Sequence, residues 1–314
     1  MNIKCLIGII ILISGITLAE EAEQKAVLVT GASSGIGKNV TELLASKGYF
    51  VYAGARKAKD LKALNAINNV QAIRLDVNKW DDINAAVDTI KKAGRGLYGV
   101  VNNAGVIIFE PLIEVEEKDL NFQLNVNIYG PYRITKAFAP MIIESKGRIS
   151  NIGSIAGTLS SPFFGPYSMS KHAMEAYTDA LAAEMSKFDV GVSIIEPGNY
   201  DSEIVASLVK RRDKNSSKGK VSQYKAELDA LIEGYGADRS RFKSPEEVSE
   251  AIMHALFSDK PKHRYMVVPD KGEATWTITQ SMRKMIQQNQ HQPHSFTREE
   301  LITMMDAMIA ESVQ

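Results

Sequence analysis

Thr30-Gly31-Ala32-Ser33-Ser34-Gly35-Ile36-Gly37 is the stretch that decides the fold. It completes Lys25-Ala26-Val27-Leu28-Val29-Thr30, a short apolar run with the character of a buried strand. It leads into Ile36 to Lys47, where apolar residues recur at helical spacing until Gly48 stops them. Glycine lets a backbone turn tightly and approach a ligand closely. The helix start beyond it offers free N–H groups and a partial positive charge, which suit a pyrophosphate. The glycines stand at 31, 35 and 37, so the spacing differs from the common G-x-G-x-x-G. A glycine turn by itself is an ordinary strand–helix connection. Placed after the first strand of an alternating chain, it predicts a phosphate cradle.

The alternation continues outward from this turn. Tyr49-Phe50-Val51-Tyr52-Ala53, Gln71-Ala72-Ile73-Arg74-Leu75 and Gly99-Val100-Val101 read as strands two to four. Arg148-Ile149-Ser150-Asn151-Ile152, Val190-Gly191-Val192-Ser193-Ile194-Ile195 and Arg264-Tyr265-Met266-Val267-Val268 read as strands five to seven. Helical patterns fill the intervals. Strands alternating with helices predict an α/β protein with a mostly parallel sheet covered on both faces.

Composition narrows the function classes. Of 314 residues, 45% are hydrophobic and 24% charged, which is ordinary for a globular chain. Lys+Arg and Asp+Glu are both 37, so no charge excess argues for a nucleic-acid partner. Cys5 is the single cysteine, which excludes a disulfide framework, a CxxC pair and a cysteine zinc site. Lys4 precedes an apolar or small run of 15 residues from Cys5 to Ala19, and Glu20, Glu21 and Glu23 follow. A basic start, a short apolar run and the triplet Thr17-Leu18-Ala19 describe a secretory signal over 1–19. An uncleaved anchor differs from it mainly in length, so membrane association through residues 5–19 stays open beside it. Either reading places the protein in an exported, lumenal or periplasmic compartment, or on a membrane.

Further motifs stand in order along the chain. Asp76-Val77 follows the third strand and Asn102-Asn103-Ala104-Gly105 the fourth. Ser154 precedes Tyr167 by 13 residues, Tyr167-Ser168-Met169-Ser170-Lys171 reads Tyr-x-x-x-Lys, and Pro197-Gly198 follows the sixth strand. Tyr167 and Lys171 are four apart, so a helix brings them to one face. A free tyrosine titrates near pH 10, and a neighbouring ammonium favours its phenolate. A phenol tuned in that way can exchange a proton with an alcohol or carbonyl oxygen. Alone, such a pair would be a surface feature of an amphipathic helix; with Ser154 and the glycine turn it predicts a reactive site.

Taken together, these motifs resemble the short-chain dehydrogenase/reductase family, in its classical form, over about residues 25 to 270. The resemblance implies a single Rossmann-like, doubly wound domain over 25–270 and a helical C-terminal extension over 271–314. It implies hydride transfer between a nicotinamide and a substrate carbon, with no metal. Tyr167 would be the general acid/base, and Lys171 would lower its pKa and hold the nicotinamide ribose. Ser154 would hydrogen-bond the reacting oxygen. Asn127 would complete a proton relay, because Asn127-Ile128-Tyr129-Gly130 fits the family's Asn-x-x-Gly, whereas Asn125 reads as structural. His172 reads as a helix-surface residue. Gly31, Ser33, Ser34, Gly35, Ile36, Gly37, Asp76, Val77, Asn103, Ala104, Gly105, Tyr167, Lys171, Pro197 and Gly198 would contact the dinucleotide.

The cofactor's identity turns on Tyr52-Ala53-Gly54-Ala55-Arg56-Lys57. NAD-binding sites usually place a carboxylate here for the ribose 2′-hydroxyl. This stretch has no acid, and the planar fork of Arg56 suits a 2′-phosphate, which predicts NADP(H) rather than NAD(H).

The substrate side is less determined. Family members carry a threonine after Pro-Gly; this chain reads Asn199-Tyr200-Asp201-Ser202. Residues 201–243 form an insertion in which Lys210, Arg211, Arg212, Lys214, Lys218 and Lys220 crowd around Asp213. It reads as a solvated charged loop or as a site for an acidic substrate. Ser244-Pro245 predicts a helix start. Thr297 and Glu300 form a capping-box pattern before Leu301, Met304, Met305, Met308 and Ile309, which predict a helix packed on the body or on another subunit, with a substrate gate or membrane-surface contact as the alternative. The long form resembles the hydroxysteroid and retinol dehydrogenase branch, which implies a small alcohol or carbonyl substrate, lipid-like by analogy, and a homo-oligomer. A catalytically idle dinucleotide sensor is the alternative, and the complete Asn127, Ser154, Tyr167, Lys171 set argues for the enzyme.

Overall fold

A computed structural model describes residues 24–201, 222–236 and 242–312. Seven strands make one sheet: β1 (Ala26–Thr30), β2 (Phe50–Ala55), β3 (Val70–Arg74), β4 (Gly99–Asn102), β5 (Arg148–Ile152), β6 (Gly191–Pro197) and β7 (Arg264–Val267). Their order is β3-β2-β1-β4-β5-β6-β7, and every pairing is parallel. A strand buried on both faces carries no polar alternation, which is why Ala26–Thr30 reads as a continuous apolar run and is buried throughout.

Successive side chains of each strand still part to opposite layers. Leu28, Val100 and Ile149 face one apolar layer, where Ile83, Ala86 and Ile90 of α3 (Trp80–Ala93) and Ile134, Phe138 and Ile142 of α5 (Gly130–Glu144) cover them. Val27, Val29, Val101 and Ile195 face the other. There Val40 and Leu44 of α1 (Gly35–Ser46) and Val248, Ile252 and Leu256 of α8 (Glu246–Phe257) close the layer. The remaining helices are α2 (Ala58–Leu64), α4 (Glu117–Leu124), α6 (Gly165–Met185), α7 (Lys225–Gly236), α9 (Lys271–Asn289) and α10 (Arg298–Ser312). The expected doubly wound sheet with helices on both faces is therefore observed. The chain winds outward from β1 to β3, then returns to place β4 on the other flank of β1. That reversal opens a crevice at the carboxyl ends of β1 and β4, where ligands of such sheets bind.

Three expectations are corrected or fall elsewhere. The helix predicted from Ser244-Pro245 begins at Glu246, with Pro245 at the cap; the Ser244 hydroxyl donates to the Glu246 carboxylate instead of accepting from a backbone N–H. The capping box at Thr297 and Glu300 is present, with Thr297 N donating to Glu300 Oε2 at 2.7 Å and Glu300 N to Thr297 Oγ1 at 3.3 Å. Of the apolar residues behind it, Leu301 is half-buried, while Met304, Met305, Met308 and Ile309 are exposed rather than packed on the body. Helix α10 joins α9 through a turn pinned by Asn289 and Phe296. The signal or anchor over 1–19 and the basic residues Lys210 to Lys220 lie outside the described residues. No helix among the described residues is long and apolar enough to cross a membrane.

Candidate active site

The turn after β1 owes its shape to its glycines. Gly31 and Gly35 hold φ of +67° and +53°, which side chains rarely tolerate. Gly37 packs so closely that an added Cβ would collide with Asn103 Nδ2 and with the Gly31 carbonyl oxygen. Ser34 is the extended residue before α1, so the first N–H groups of that helix open toward the crevice.

A neighbouring loop is stitched to this turn. Thr30 Oγ1 accepts from the backbone N–H of Asn103 and of Ala104, each at 3.0 Å, and donates to Val101 O at 3.2 Å. Asn103 Nδ2 donates to Thr30 O at 2.9 Å and to Gly31 O at 3.2 Å. Thr30 and Asn103 thus lock the loop after β4 to the glycine turn and leave Ala104 and Gly105 at the rim. The sequence does not announce this structural use of Thr30, although the residue stands at the head of the motif that decides the fold. Asn102 points the other way, donating to Asn151 Oδ1 at 2.9 Å and Thr135 Oγ1 at 3.2 Å inside the sheet's helical layer.

At the outer edge, Asp76 Oδ1 accepts from Asn78 N at 3.0 Å, and Val77 is buried beneath it. Arg56 is exposed just past β2. The registers Thr30↔Gly54 and Ala55↔Arg74 bring it beside the glycine turn and beside Arg74. Arg74 Nη1 donates to Arg56 O at 3.4 Å, and Arg74 Nε lies 3.7 Å from Asp82. Arg74 is a second guanidinium at this edge that the sequence does not single out, because it falls within a strand pattern.

The reactive side chains meet beyond β5. Ser154 follows the strand, its hydroxyl accepting from Ala156 N at 3.1 Å and donating to Pro197 O at 3.4 Å. Tyr167 and Lys171 lie in the first turns of α6, with Lys171 Nζ 5.6 Å from the Tyr167 ring centroid. The Ser154 hydroxyl stands close enough to the Tyr167 hydroxyl to favour its phenolate. Lys171 is 6% exposed and donates from Nζ to Ile152 O at 2.7 Å. Burial pulls its ammonium down to about 8, against the charge of Glu175.

Tyr167 departs from expectation. Burial pushes its phenol up to about 12, and the Ser154 hydroxyl only partly offsets this. The sequence predicts that the ammonium brings the phenol down. The site's apolar surroundings prevail instead, because they penalise a phenolate more than the Ser154 hydroxyl relieves it. Those surroundings are Phe109, Phe163, Phe164, Tyr224 and Leu228, which cluster with Tyr167. Phe109 meets Phe164 edge-on at 4.6 Å.

Asn127 sits in a single π-helical turn, Asn125–Tyr129, between α4 and α5. Such turns often mark functional positions. Its Oδ1 accepts from Val106 N at 2.9 Å, and its Nδ2 donates to Val106 O and Ser170 Oγ, each at 3.0 Å. Ser170 Oγ donates in turn to Tyr167 O at 2.7 Å. Asn127 therefore reaches the tyrosine's helix through Ser170, and its other two bonds fix the backbone of Val106. Asn125 is structural, as read: its Oδ1 accepts from Arg133 Nη2 at 3.0 Å. His172 is more than a surface residue, for its Nδ1 bonds Ser168 O at 2.9 Å and its Nε2 meets Lys284 Nζ at 3.2 Å.

Comparison with known proteins points in one direction. The family model described as short chain dehydrogenase matches residues 25–213. An NADPH-dependent 3-dehydrocapnine reductase of Ornithobacterium rhinotracheale is 33% identical over 256 residues, covering 78% of this chain and 88% of that protein. Retinol dehydrogenase 7 of Mus musculus is 32% identical over 254 residues, covering 77% and 80%. Among solved structures, a short-chain dehydrogenase from Streptomyces avermitilis superposes with a TM-score of 0.70 at 26% identity, covering 84% of this chain and 94% of that one.

Proposed function

The chain belongs to the short-chain dehydrogenase/reductase family of oxidoreductases, and from that premise we propose that it is an NADP(H)-preferring enzyme interconverting an apolar alcohol and its carbonyl compound. One observation carries the reading: the hydroxyls of Ser154 and Tyr167 and the amine of Lys171 converge at the carboxyl edge of the sheet that also holds the glycine turn.

A nicotinamide dinucleotide fits the residues present. Gly31 and Gly37 draw the turn tight against Asn103 and Ala104, and the open helix start beyond it faces anionic oxygens. Ser33, Ser34, Gly35 and Ile36 would hold the pyrophosphate there. Asp76, Val77 and Asn103 to Gly105 would flank the adenine half, and Pro197 and Gly198 the nicotinamide half. Arg56, with Arg74 beside it, would pair with a 2′-phosphate; the NADPH-dependent relative supports that preference. The bound dinucleotide supplies the hydride chemistry.

The protein's own side chains handle the proton. In reduction, Tyr167 gives its phenolic proton to the carbonyl oxygen as the carbon receives hydride; in oxidation, it takes the alcohol's proton. A phenol held high stays protonated through the neutral range, so it carries the proton that reduction needs, and it releases that proton only as the carbonyl oxygen gains charge. Ser154 donates to the reacting oxygen. Lys171 offsets charge as the phenolate forms, and Asn127 holds the tyrosine's helix through Ser170. The wall of Phe109, Phe163, Phe164, Tyr224 and Leu228 offers apolar contact, which suits a lipid-like substrate.

The test is consumption of NADPH by the full chain across a panel of apolar ketones and aldehydes, with polar carbonyls as the contrast. Turnover on the apolar set is expected. Tight NADPH binding with no turnover on any carbonyl compound or alcohol would instead make the protein a dinucleotide sensor.

A further inference from the structure

Behind Ser154, Tyr167 and Lys171 lies a second set of charges that the proposed chemistry leaves unused. Glu175 follows Lys171 by one turn of α6, so the two side chains share a face. Its carboxyl presses against the backbone on either side of Ser154. An added Cβ would lie 3.1 Å from Glu175 Oε1 at Gly153 and 2.6 Å from it at Gly157, so glycines make the room. Glu175 Oε2 accepts from Arg264 Nη2 at 2.9 Å and from Nε at 3.2 Å. The same Nε donates to Glu196 Oε1 at 2.7 Å. Glu196 is 5% exposed, and its carboxyl is within hydrogen-bonding reach of Glu175. Glu175 Oε1 is buried with no donor to it.

The charged groups facing this pair are few. From α6 come Lys171 and Asp179, and from the β7 edge Arg264 and His263; the Gly153–Gly157 turn brings none. Asp179 Oδ1 is held by His263 Nε2 at 2.7 Å and by Arg264 Nη2 at 3.1 Å. One guanidinium is thus divided among three carboxyls. Two buried carboxylates in contact repel strongly, and a proton shared between them removes the conflict. Burial and the charge of Glu175 raise the Glu196 carboxyl above the ordinary carboxylate range, against the pull of Arg264.

We propose that Glu196 carries a proton and donates it to Glu175, so that Glu175 persists as a largely enclosed carboxylate that keeps Lys171 an ammonium and braces the turn of Ser154. Glu175 and Glu196 are positioning residues; neither reaches the crevice. The burial that weakens the Lys171 ammonium is countered by a carboxylate one turn behind it, and that carboxylate is kept tolerable in the interior by the neutral acid beside it. The proposal rests on the reading of Lys171 as a working ammonium, and the experiment separates the two.

Carbon-13 carboxyl titration of the dinucleotide-free full chain, with glutamate labelled, reads the pair directly. One carboxyl is expected to stay protonated well into the neutral range, and its signal should vanish in Glu196→Gln. If every glutamate titrates at ordinary acid pH, the proposal is overturned, and this holds whether or not any variant folds. In Glu175→Gln, the Lys171 ε-carbon resonance, identified by its loss in Lys171→Met, should titrate lower by roughly one pH unit. The alkaline limb of kcat/KM should move the same way, with Glu175→Asp restoring part of the difference. An unmoved Lys171 titration in a folded Glu175→Gln protein refutes the proposal. A moved lysine titration in a protein with no turnover on any substrate supports the proposal and sinks the oxidoreductase reading.

Discussion

Lys171 is an ammonium placed where water does not reach, and the site's behaviour follows from that conflict. Its affinity for a proton falls from the ordinary 10.5 to about 8 on folding. Below pH 8 the residue is charged in both folded and unfolded chains, and the fold bears the full cost of burying the charge. A tenfold loss of proton affinity corresponds to about 1.4 kcal/mol, so that cost is on the order of 3 kcal/mol. Between pH 8 and 10.5 the unfolded chain holds more protons, and this contribution to stability rises with pH. Lys171→Met should therefore raise the thermal midpoint at about pH 7, with an advantage that fades as the pH approaches about 10. The lost bond to Ile152 O would offset only about 1 kcal/mol of it. Melts of both proteins across that range check the sign; a variant less stable than wild type at neutral pH contradicts it. Tyr167→Phe is the complementary change. The ring keeps its place among Phe109, Phe163 and Phe164, so the fold and dinucleotide binding should persist while turnover falls about 10²–10⁴-fold. Steady-state rates beside NADPH fluorescence titrations decide it, and near-normal turnover would remove Tyr167 from the acid/base role. At this scale the sequence is informative wherever partners are close along the chain. Tyr167 and Lys171 are legible because a helix puts residues four apart on one face. Glu175, Glu196 and Arg264 are not, because only the pairing of β6 with β7 and the packing of α6 across them bring such distant positions together.

Among elements, the strands are the most legible, since burial on both faces writes them as unbroken apolar runs bounded by turns. The glycine turn is legible for the same kind of reason: positive φ at Gly31 and Gly35 admits few other residues. What links the turn to its neighbour is not, because Thr30 and Asn103 act through hydrogen bonds across adjacent strands and have no local signature. The π turn at Asn125–Tyr129 is also silent, because no residue type of its own announces the one extra residue in the turn. The start of α8 differs from its sequence pattern because Ser244 spends its hydroxyl on Glu246. Gly37→Ala tests the glycine turn directly. Its Cβ would enter the space of the Gly31 carbonyl and the Asn103 amide, and backbone there cannot yield cheaply. We expect a loss of about 1–3 kcal/mol in stability and a marked loss of dinucleotide affinity. Calorimetry and NADPH titration would show both; normal binding in Gly37→Ala would mean that the turn does not cradle phosphate. At the end of β2, Arg56→Asp exchanges a phosphate partner for a ribose-hydroxyl acceptor and should move preference toward NAD(H). Titrations in which the wild type already prefers NAD(H) would remove Arg56 from that role.

For the whole molecule, the question is where the body ends. The family resemblance places a boundary at 270. The structure ties the next helix firmly to the site. Asp270 caps α9 by accepting from Glu273 N at 2.9 Å. Glu273 in turn accepts from Asn199 N, just past β6, at 3.1 Å. Further along α9, Lys284 Nζ bonds the carbonyl of Thr158, close behind the Ser154 turn, and meets His172 beside Lys171. Thr277 between them is buried. Helix α10 differs: its apolar residues beyond Leu301 are exposed, and it hangs from the Asn289–Phe296 turn. We propose that the folded unit extends through about residue 290 and that α10 is an appendage to it. Two truncations separate these cases. A chain ended at Gln290 loses an exposed helix and should melt within a degree or two of the full protein, with unchanged NADPH affinity. A chain ended at Asp270 loses the bonds of Glu273 to Asn199 and of Lys284 to Thr158, each contributing about 1 kcal/mol, and the helix that carries the buried Thr277. For a chain of this size that corresponds to a fall of several degrees. Because both bonds adjoin the crevice, dinucleotide affinity should fall with it. Equal melting of the two truncated chains would return the boundary to 270 and make α9 as dispensable as α10.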